Sequence, residues 1–552
     1  MHKRHRTILS WLIILGLATT ACTCSPTGSD KPARNAIVIE VAANTSLRPW
    51  LEATITTFNN AKVETASGKP VYVVLNPVES GKAVTTMTSG DSLPAMWVPD
   101  DQVWVNLLAN QGIDSFQSDC VSLAESPLVI AMWRPVAESL GWPGRSIGWL
   151  DVGSLAADPS AWTYYSGGQF GDALRLGHTH PGLSGSGTST LLAIVQAAES
   201  KTEAVSPDNI QQPIVQASVS AFEAAVSWFS STTDDLGQTM SKRGINYLGA
   251  AVLYESTVID YGGGNPDIVP IYPFEGTFVA THPACVNSSS SAEVQEATRL
   301  FRSYSLGEQG QQMALAHGLR PVNTNVPLGA PLDESRGVDL AQPKIVFGSP
   351  GVDAVYAVQE LWQEARKEVN LVMLLDTSGS MGGSKIESAR AAAIQFVEQM
   401  GDDDYITIIA FSNQPDLLIY NKRIGEARDE AINALRGLQA NGYTTLYDAI
   451  GDATTIIAAT NSSQTSNAIV VLTDGMDTAS TRYRFDQDLM ETAAAHDTTV
   501  FTIAYGDDAD ENILSELALG TNGNFYQGDE ASIAAIYQEM SAAFGGGVGV
   551  GR

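Results

Sequence analysis

The sequence predicts an α/β protein with two regions, each containing a largely parallel sheet. From residue 35 to about 323, short β-branched runs alternate with longer helix-like stretches, and a second alternation runs from 369 to about 544. Such alternation is typical of parallel strands that are joined by crossover helices. A chain of 552 residues is also too long for one ordinary core, so two or three domains are expected.

Residues 1–22 have the pattern of an export signal peptide, in which a basic start and a short apolar segment precede Cys22. The segment is shorter than the about 20 apolar residues of a membrane-spanning helix, and no later run reaches that length. The last four residues of this signal, TTAC at 19–22, resemble a bacterial lipobox. The resemblance implies that Cys22 is lipidated and anchors the protein at the bacterial cell membrane. Thr19 departs from the usual Leu of that motif, so cleavage followed by secretion is the alternative. Residues 23–34 are polar and suit a tether.

The composition excludes one class of partner. The net charge is −30 although only 17% of residues are charged, and Lys and Arg do not cluster beyond the first few positions. An acidic surface of this kind repels a phosphate backbone, so no nucleic-acid partner is expected.

The four cysteines fall into two groups. Cys22 and Cys24 lie at the signal boundary, whereas Cys120 and Cys285 lie far downstream. Because export favours oxidation, the distal pair is a disulfide candidate. Such a bond would close a long loop and stabilise the fold by at most about 5 kcal/mol. Two buried free thiols are the alternative.

Two segments lack the periodicity of regular structure. Residues 324–368 begin with a stretch rich in Pro and Gly and are predicted to be a linker or wrapping segment. The Gly-rich tail, 545–552, is predicted to be disordered.

The C-terminal region, 369–544, predicts a doubly wound sheet. Near-continuous apolar runs such as AIVVLT indicate strands that are covered on both faces. A sheet of this type places its ligand site at the carboxyl ends of its strands. The predicted strands are 371–375, 405–411, 468–472 and 499–505, and the predicted helices are 386–400, 427–438, 446–459 and 489–496.

Three separated pieces of this region fall at element ends: DTSGS follows the first strand, NGYTTLYDA precedes a helix, and LTDGMDT follows a later strand. They bring together five oxygen-bearing side chains, Asp376, Ser378, Ser380, Thr444 and Asp474. No His or Cys joins them, and an all-oxygen set suits a hard cation such as Mg²⁺, with Mn²⁺ or Ca²⁺ as alternatives. If the hydroxyls bind the ion directly and the aspartates act through water, the ion keeps an exchangeable position that a partner's carboxylate can fill.

These three pieces resemble the metal-ion-dependent adhesion site of the von Willebrand factor A domain, and the resemblance covers roughly 369–544. It implies a doubly wound, Rossmann-like fold in which the same five residues form the metal site. It also implies a protein partner that presents an Asp or Glu carboxylate. Tyr443 stands where bacterial relatives often carry a second Gly, but it removes no ligand.

Other interpretations of DTSGSMGGSK are weaker. A P-loop requires Gly before the Lys and Ser or Thr after it, whereas Ser384 and Ile386 flank Lys385. A serine nucleophile needs a base, and the stretch supplies no nearby His. An N-cap turn explains DTSGS alone, but not why Thr444 and Asp474 recur in register. Lys385 is therefore assigned only to the start of a helix.

Four stretches of residues 35–323 carry a second resemblance: VIEVAANTSLRPWLEATITTFN, ESPLVIAMW, HTHPGLSGSGTSTLLAIV and YPFEGTFVATHPACV. Their order and pattern resemble bacterial extracellular solute-binding proteins, the receptors that deliver ligands to ABC transporters. The resemblance implies a two-lobed, periplasmic-binding-protein-like domain with a small solute in the cleft between its lobes.

The loop SGSGTST opens a predicted helix, whose N-terminus would expose N–H groups and hydroxyls to a polar ligand. In the resembled family this loop contacts the ligand. The candidate ligand-binding residues, from this loop and from other strand-end loops, are Ser184, Ser186, Thr188, Ser46, Ser80 and Tyr254. A helix cap with flexible glycines is the alternative. His178 and His180 lack a third metal ligand and are expected to be structural or ligand-adjacent.

The two resemblances together predict a binding protein rather than an enzyme, since no convincing pair of nucleophile and base is present. The first hypothesis is a surface-anchored protein whose A-type domain captures a partner through Mg²⁺ while the two-lobed domain carries or senses a solute. The alternative is an ABC-transporter solute receptor with an accessory A-type domain. Lectin-like and scaffold roles stay open.

Overall fold

The computed structural model describes residues 32–90, 92–462 and 465–543. The predicted fold class is confirmed: a two-lobed α/β unit is followed by a doubly wound, mostly parallel sheet. The export signal with Cys22, most of the predicted tether and the Gly-rich tail lie outside the described residues. Among the residues that are described, no helix combines the length and the apolar character needed to cross a bilayer.

The elements of the described chain are numbered in sequence order. The strands are β1 Ile37–Ala43, β2 Val71–Pro77, β3 Met96–Val98, β4 Cys120–Ser122, β5 Ala124–Trp133, β6 Leu176–Thr179, β7 Val226–Ser230, β8 Ala250–Tyr254, β9 Ile268–Ile271, β10 Val279–Ala280, β11 Pro283–Val286, β12 Arg320–Pro321, β13 Glu368–Asp376, β14 Tyr405–Phe411, β15 Pro415–Arg423, β16 Thr465–Thr473, β17 Thr499–Tyr505 and β18 Phe525–Gly528. The helices are α1 Arg48–Ala61, α2 Ser80–Thr88, α3 Gln102–Asn110, α4 Arg134–Ser139, α5 Trp149–Ala157, α6 Pro159–Ser166, α7 Gly185–Glu199, α8 Pro207–Ile210, α9 Pro213–Glu223, α10 Thr233–Arg243, α11 Glu255–Tyr261, α12 Ala292–Leu306, α13 Glu308–Ala316, α14 Val352–Ala365, α15 Ser384–Gln399, α16 Ile424–Arg436, α17 Leu446–Thr460, α18 Gln487–Ala494, α19 Glu511–Gly520 and α20 Ile533–Ala543.

Lobe 1 is built on a five-stranded sheet with the order β2-β1-β3-β11-β4. β1 is parallel to both β2 and β3. The apolar residues of α1 recur every three to four positions, as at Leu51, Ile55 and Phe58, so one face of that helix is buried. This face packs on the sheet together with Phe301 of α12, which closes the lobe 1 core.

Lobe 2 contains β5 to β10 and β12 and is organised around the long buried strand β5. β5 is antiparallel to β8, β9, β10 and β12, whereas β6 is parallel to β7 and β8. The region is therefore less parallel than the sequence predicted. The reason is that the chain enters the lobe along β5, and the return segments β10 and β12 run back beside it.

The two cysteines predicted as a disulfide candidate lie on β4 and β11, strands next to passages of the chain between the lobes. Cys120 of β4 and Cys285 of β11 lie directly opposite each other, and their Sγ atoms are 2.03 Å apart in a disulfide. β5 begins two residues after β4 ends, and β11 begins three residues after β10 ends. The bond therefore lies beside two of the points at which the chain passes between the lobes, and the third leads from α13 to β12.

The C-terminal unit contains β13 to β18 and α15 to α20, with the strand order β15-β14-β13-β16-β17-β18. All neighbours are parallel except the antiparallel edge strand β15. The four predicted strands fall within β13, β14, β16 and β17, and the predicted helices match α15 to α18 within a few residues. Leu375 of β13 pairs with Leu472 of β16, so these two strands end side by side.

The segment 324–368, predicted to be a linker or wrapping segment, contains the helix α14. Its first half packs on lobe 1, where Val355 joins the apolar cluster around Trp104. Its second half packs on lobe 2, where the ring centroids of Trp362 and Phe229 lie 5.5 Å apart. Because α14 leads directly into β13, it connects both lobes to the C-terminal unit.

The C-terminal unit also packs against lobe 2. Trp228 of β7 stacks on Phe501 of β17, with ring centroids 5.8 Å apart and planes 17° from parallel. The Arg243 guanidinium donates hydrogen bonds to the Gly523 carbonyl at 2.7 Å and to Asn524 Oδ1 at 2.9 Å. Apolar stacking and directional hydrogen bonds therefore fix this contact together.

Candidate functional site

Asp376 occupies the last position of β13 and is buried. Its Oδ1 accepts a hydrogen bond from the Ser378 amide at 2.7 Å, and its Oδ2 accepts one from Thr473 Oγ1 at 2.5 Å. Burial raises the pKa of Asp376, its hydrogen bonds oppose this, and the neighbouring Asp474 carboxylate raises it further. The carboxylate is thus fixed in position but costly to ionise without a nearby cation.

A chain of hydrogen bonds links the DTSGS loop to the end of β16. Ser378 Oγ lies 2.9 Å from Ser380 Oγ, which donates to Asp474 Oδ1 at 2.7 Å. Asp474 directly follows β16 and is fully buried. The prediction that the ends of two parallel strands bring these residues together agrees with this geometry.

Thr444 reaches the same cluster from the loop before α17. The Thr444 amide donates to Thr478 Oγ1 at 3.0 Å, and the Gly379 amide donates to the Gly442 carbonyl at 3.0 Å, so the three loops are tied together. A Cβ placed on Gly475 would lie 3.7 Å from Thr444 Oγ1 and 3.9 Å from Ser380 Oγ. Thr444 and Ser380 therefore both face the backbone that follows Asp474.

Lys385 belongs to this cluster, although the sequence assigned it only to the start of a helix. Its Nζ lies 2.6 Å from Asp474 Oδ2, in an ion pair whose carboxylate is fully buried. Lys385 is the second residue of α15, and its side chain reaches back over the loop to the end of β16. In the sequence, Lys385 stands out only as the last residue of the tripeptide GSK at 383–385. The tertiary fold is needed to show that its ammonium contacts Asp474.

The donor set fits a divalent cation. It offers three hydroxyl oxygens and two carboxylates, and within the described ranges no group of three or more His, Cys, Asp or Glu forms an alternative cluster. Oxygen-only sets with water completing the shell are what Mg²⁺ prefers. The residues that would hold the ion are the predicted five, Asp376, Ser378, Ser380, Thr444 and Asp474.

The rim of this cluster is apolar and open to solvent. Tyr443 is 68% exposed and Met476 is 59% exposed, and each lies within two residues of a candidate metal-binding residue. Gly442, which precedes Tyr443, has φ +87°, and a Cβ there would lie 2.7 Å from Asn413 Oδ1. The loop therefore requires glycine at 442, and the neighbouring tyrosine projects outward.

The candidate solute-binding residues are buried and bonded internally. Ser46 Oγ donates to Asn44 Oδ1 at 2.6 Å, and Thr188 Oγ1 donates to the Pro181 carbonyl at 2.6 Å. These two hydroxyls serve local turns. Ser186 Oγ lies 2.7 Å from Thr179 Oγ1.

The other three candidates, Ser80, Ser184 and Tyr254, meet between the lobes, where each donates to a buried carboxylate that the sequence analysis did not select. Ser184 Oγ donates to Glu79 at 2.7 Å. Tyr254 OH donates to Asp100 at 2.6 Å, and Ser80 also donates to Asp100.

Both loop histidines have structural contacts. His178 Nε2 lies 3.0 Å from Glu223 Oε1, and both side chains are buried. The His180 ring packs edge-on against Trp362 of α14, with centroids 4.6 Å apart. These contacts are with other residues of the chain, and the sequence left a structural and a ligand-adjacent role open for both histidines.

Two family models match the chain. One described as von Willebrand factor type A domain matches residues 370–539, and one described as bacterial extracellular solute-binding protein matches residues 39–320.

Among curated relatives, inter-alpha-trypsin inhibitor heavy chain H4 of Homo sapiens is 29% identical over 31% of this chain and 20% of its own length. An uncharacterized protein of Synechocystis sp. is 27% identical over 32% of this chain and 43% of its own. The chain thus spans less than half the length of these relatives.

Solved structures resemble each unit separately. A von Willebrand factor type A protein from Catenulispora acidiphila is 23% identical with a TM-score of 0.29, over 32% of this chain and 42% of that one. The sulfate-binding protein SubI from Mycobacterium tuberculosis H37Rv is 18% identical with a TM-score of 0.38, over 53% of this chain and 88% of that one.

Proposed function

Because this chain belongs to the bacterial extracellular solute-binding protein family and carries a von Willebrand factor type A domain, we propose that it is an extracytoplasmic binding protein that captures a protein partner through a divalent cation. The first family supports a location outside the cytoplasm, and the second supports protein binding. We assign it no catalytic step. Anchoring through a lipid on Cys22 is part of the proposal.

One observation carries this proposal. Side chains from three separate loops converge at the carboxyl edge of the C-terminal sheet, and Ser378, Ser380 and Asp474 form a continuous hydrogen-bonded chain there. An N-cap turn would account for the first loop alone. It would not account for a buried Asp474 that is aimed at Ser380 from another strand.

The proposed ion is Mg²⁺, with Mn²⁺ or Ca²⁺ as alternatives, and when bound it would supply a positive centre for a partner's carboxylate. The chain's own residues set how strongly that centre attracts an anion. Two carboxylates and three neutral hydroxyls leave a divalent ion less neutralised than an all-carboxylate shell would. The exposed rim beside Tyr443 leaves the site reachable by another protein.

The first experiment measures metal binding directly. Titration calorimetry with MgCl₂ and MnCl₂ on the full chain should show one site, and Asp376→Ala should abolish it. Asp429→Ala is the matched control, because Asp429 is an exposed aspartate on α16 in the same unit. Equal metal binding by the Asp376 variant and the wild type would contradict the site.

The second experiment measures capture of a partner. An array of acidic peptides and their amide counterparts should retain the wild type only when Mg²⁺ is present, and retention should be lost with EDTA. The Asp429 variant should behave like the wild type and the Asp376 variant should not bind. Retention that persists in EDTA would overturn the proposed mechanism.

A further inference from the structure

The Glu79 carboxylate lies buried between the two lobes at the convergence of four hydrogen-bond donors. Asn44 Nδ2 donates at 3.1 Å and Thr45 Oγ1 donates from the same lobe 1 loop. Ser184 Oγ and the Thr233 amide each donate at 2.7 Å from lobe 2. Four donors around one carboxylate form an environment that suits an oxyanion.

The lobe 2 donors come from helix N-termini. Ser184 is the N-cap residue of α7, and Thr233 is the first residue of α10. Free N–H groups and the helix dipole make such positions favourable for anions. In this chain, however, the anion is supplied by lobe 1, because Glu79 directly precedes α2.

A second carboxylate completes the contact. Asp100 of lobe 1 is buried and accepts hydrogen bonds from Ser80 and from Tyr254 OH of lobe 2, the latter at 2.6 Å. A Cβ placed on Gly185, the first residue of α7, would lie 1.7 Å from Asp100 Oδ2. The carboxylate thus rests directly on the glycine backbone, where no other residue type would fit.

The lobes make close backbone contact beside Glu79, and a cavity of about 240 Å³ adjoins this contact on the side of α20, where it is lined by Glu79, Lys82 and Leu183. A Cβ on Gly81 would lie 2.6 Å from the Gly182 carbonyl, and the Lys82 amide donates to the Leu183 carbonyl at 2.9 Å. Backbone therefore meets backbone across the lobes. Nearby, Arg48 of lobe 1 forms an ion pair with the buried Asp234 of lobe 2, at 2.5 Å.

The helix α14 adds a restraint that is independent of the cleft. On lobe 1, Tyr356 OH accepts a hydrogen bond from Gln111 at 2.8 Å. On lobe 2, Trp362 Nε1 donates to Glu223 at 2.9 Å, and Gln359 donates to the Pro181 carbonyl at 3.0 Å. Opening of the lobes would break contacts at one end of this helix or the other.

We infer that the anion site between the lobes is filled by the Glu79 carboxylate of the chain itself, so that the solute-binding unit is held closed and takes up no free solute. Glu79 acts as an internal ligand: it occupies the donors that a bound carboxylate or other oxyanion would use. The unit then serves as a rigid support for the C-terminal unit. This inference does not depend on the proposed metal site.

The inference predicts that removal of the internal ligand creates a site for an external one. In the full chain, Glu79→Ala should lower the thermal unfolding midpoint, and formate or acetate should raise it again in a saturable way. Chloride at equal ionic strength is the salt control. The wild type should show no such anion-specific shift. A Glu79→Ala protein that folds but does not respond to carboxylates would overturn the inference.

A second measurement decides the matter if Glu79→Ala does not fold. Hydrogen exchange is followed at residues 182–190 and 231–240 in the wild type, in Glu79→Gln and in Glu203→Gln, whose residue is exposed on lobe 2. Exchange should be slow in the wild type and in the Glu203 variant and faster in the Glu79 variant. In the wild type, sulfate, phosphate, sugars and amino acids should leave it unchanged. Slower wild-type exchange upon addition of any of these solutes would refute the internal ligand.

Discussion

Glu79 should make the stability of the two-lobed unit depend on pH in an unusual direction. Burial raises the pKa of Glu79 from 4.5 to about 7, against the opposing effect of its hydrogen bonds from Thr233, Thr45 and Ser184. Between these two pH values the unfolded chain releases the proton and the folded chain retains it, so Glu79 is the ionised internal ligand only above about pH 7, where the anion experiments are made. The free energy of unfolding should therefore fall as pH rises from about 4.5 to about 7.

The size of this effect follows from the two pKa values. At 1.36 kcal/mol per pH unit, the difference between 4.5 and about 7 corresponds to roughly 3 kcal/mol. Most carboxylates with hydrogen-bond partners have depressed pKa values and stabilise proteins as pH rises, so Glu79 opposes the general trend. Asp100, whose pKa is also raised by burial, and Lys82, whose pKa is lowered by burial, face the same region. Both residues must therefore be present unchanged in the two proteins that are compared.

Glu79→Gln isolates the contribution, because glutamine cannot ionise and the neighbouring groups are retained. Urea unfolding, followed by tryptophan fluorescence, is measured for both proteins at pH values from 4.5 to 8. The free energy of unfolding of the wild type minus that of Glu79→Gln should fall by roughly 3 kcal/mol over this range. The glutamine amide cannot accept all the hydrogen bonds of the carboxylate, so the variant should be less stable by about 1–3 kcal/mol at every pH. Only the change of this difference with pH tests the pKa of Glu79. Parallel pH profiles for the two proteins would refute the reasoning.

Three further predictions concern other parts of the chain. Lys385→Met should bind Mg²⁺ several-fold more tightly in calorimetry, because no ammonium then competes with the ion for Asp474. Arg366→Met should cost roughly 3–5 kcal/mol of unfolding free energy, since it leaves the buried Asp404 without its cation. Replacement of both Cys120 and Cys285 by Ser should lower the unfolding free energy by at most about 5 kcal/mol, as expected for a separation of 165 residues. Lys422→Met, at an exposed ion pair of the same unit, is the control for the first two variants and should change little. Equal effects in variant and control, or an unchanged stability without the disulfide, would contradict the corresponding argument.

The parts of the fold that the sequence predicted correctly depend on local pattern. β13 and β16 contain the uninterrupted apolar runs 371–375 and 468–472, and an aspartate stands at or just after the end of each strand, so both the strands and the position of the site could be found. Asp376 and Asp474 then follow from the rule that parallel strands end at one edge. The helix α14 also had a helical period in Val355, Val358 and Trp362, but the Pro- and Gly-rich stretch before it obscured the pattern.

The residues that the sequence missed act across large separations. Glu79 gains its importance only when Ser184 and Thr233, more than a hundred positions away, close over it. Its neighbours in sequence give no sign of this. The position of Lys385 at a helix start could be predicted from the sequence, but its partner could not. The direction of a long flexible side chain depends on where the fold places that partner, here Asp474.

The disulfide between β4 and β11 also determines how the molecule would carry mechanical tension. A pull between the start of lobe 1 and the C-terminal unit would travel along the covalent chain to Cys120 and pass across the Sγ–Sγ bond to Cys285. It would then continue through α12, α13 and α14 to β13. The intervening loop of the chain, which includes Glu79's lobe 2 partners Ser184 and Thr233, is excluded from this covalent path. Under load, the segments that could extend are therefore those of lobe 1 and the connection to the C-terminal unit, while most of lobe 2 would remain unstretched.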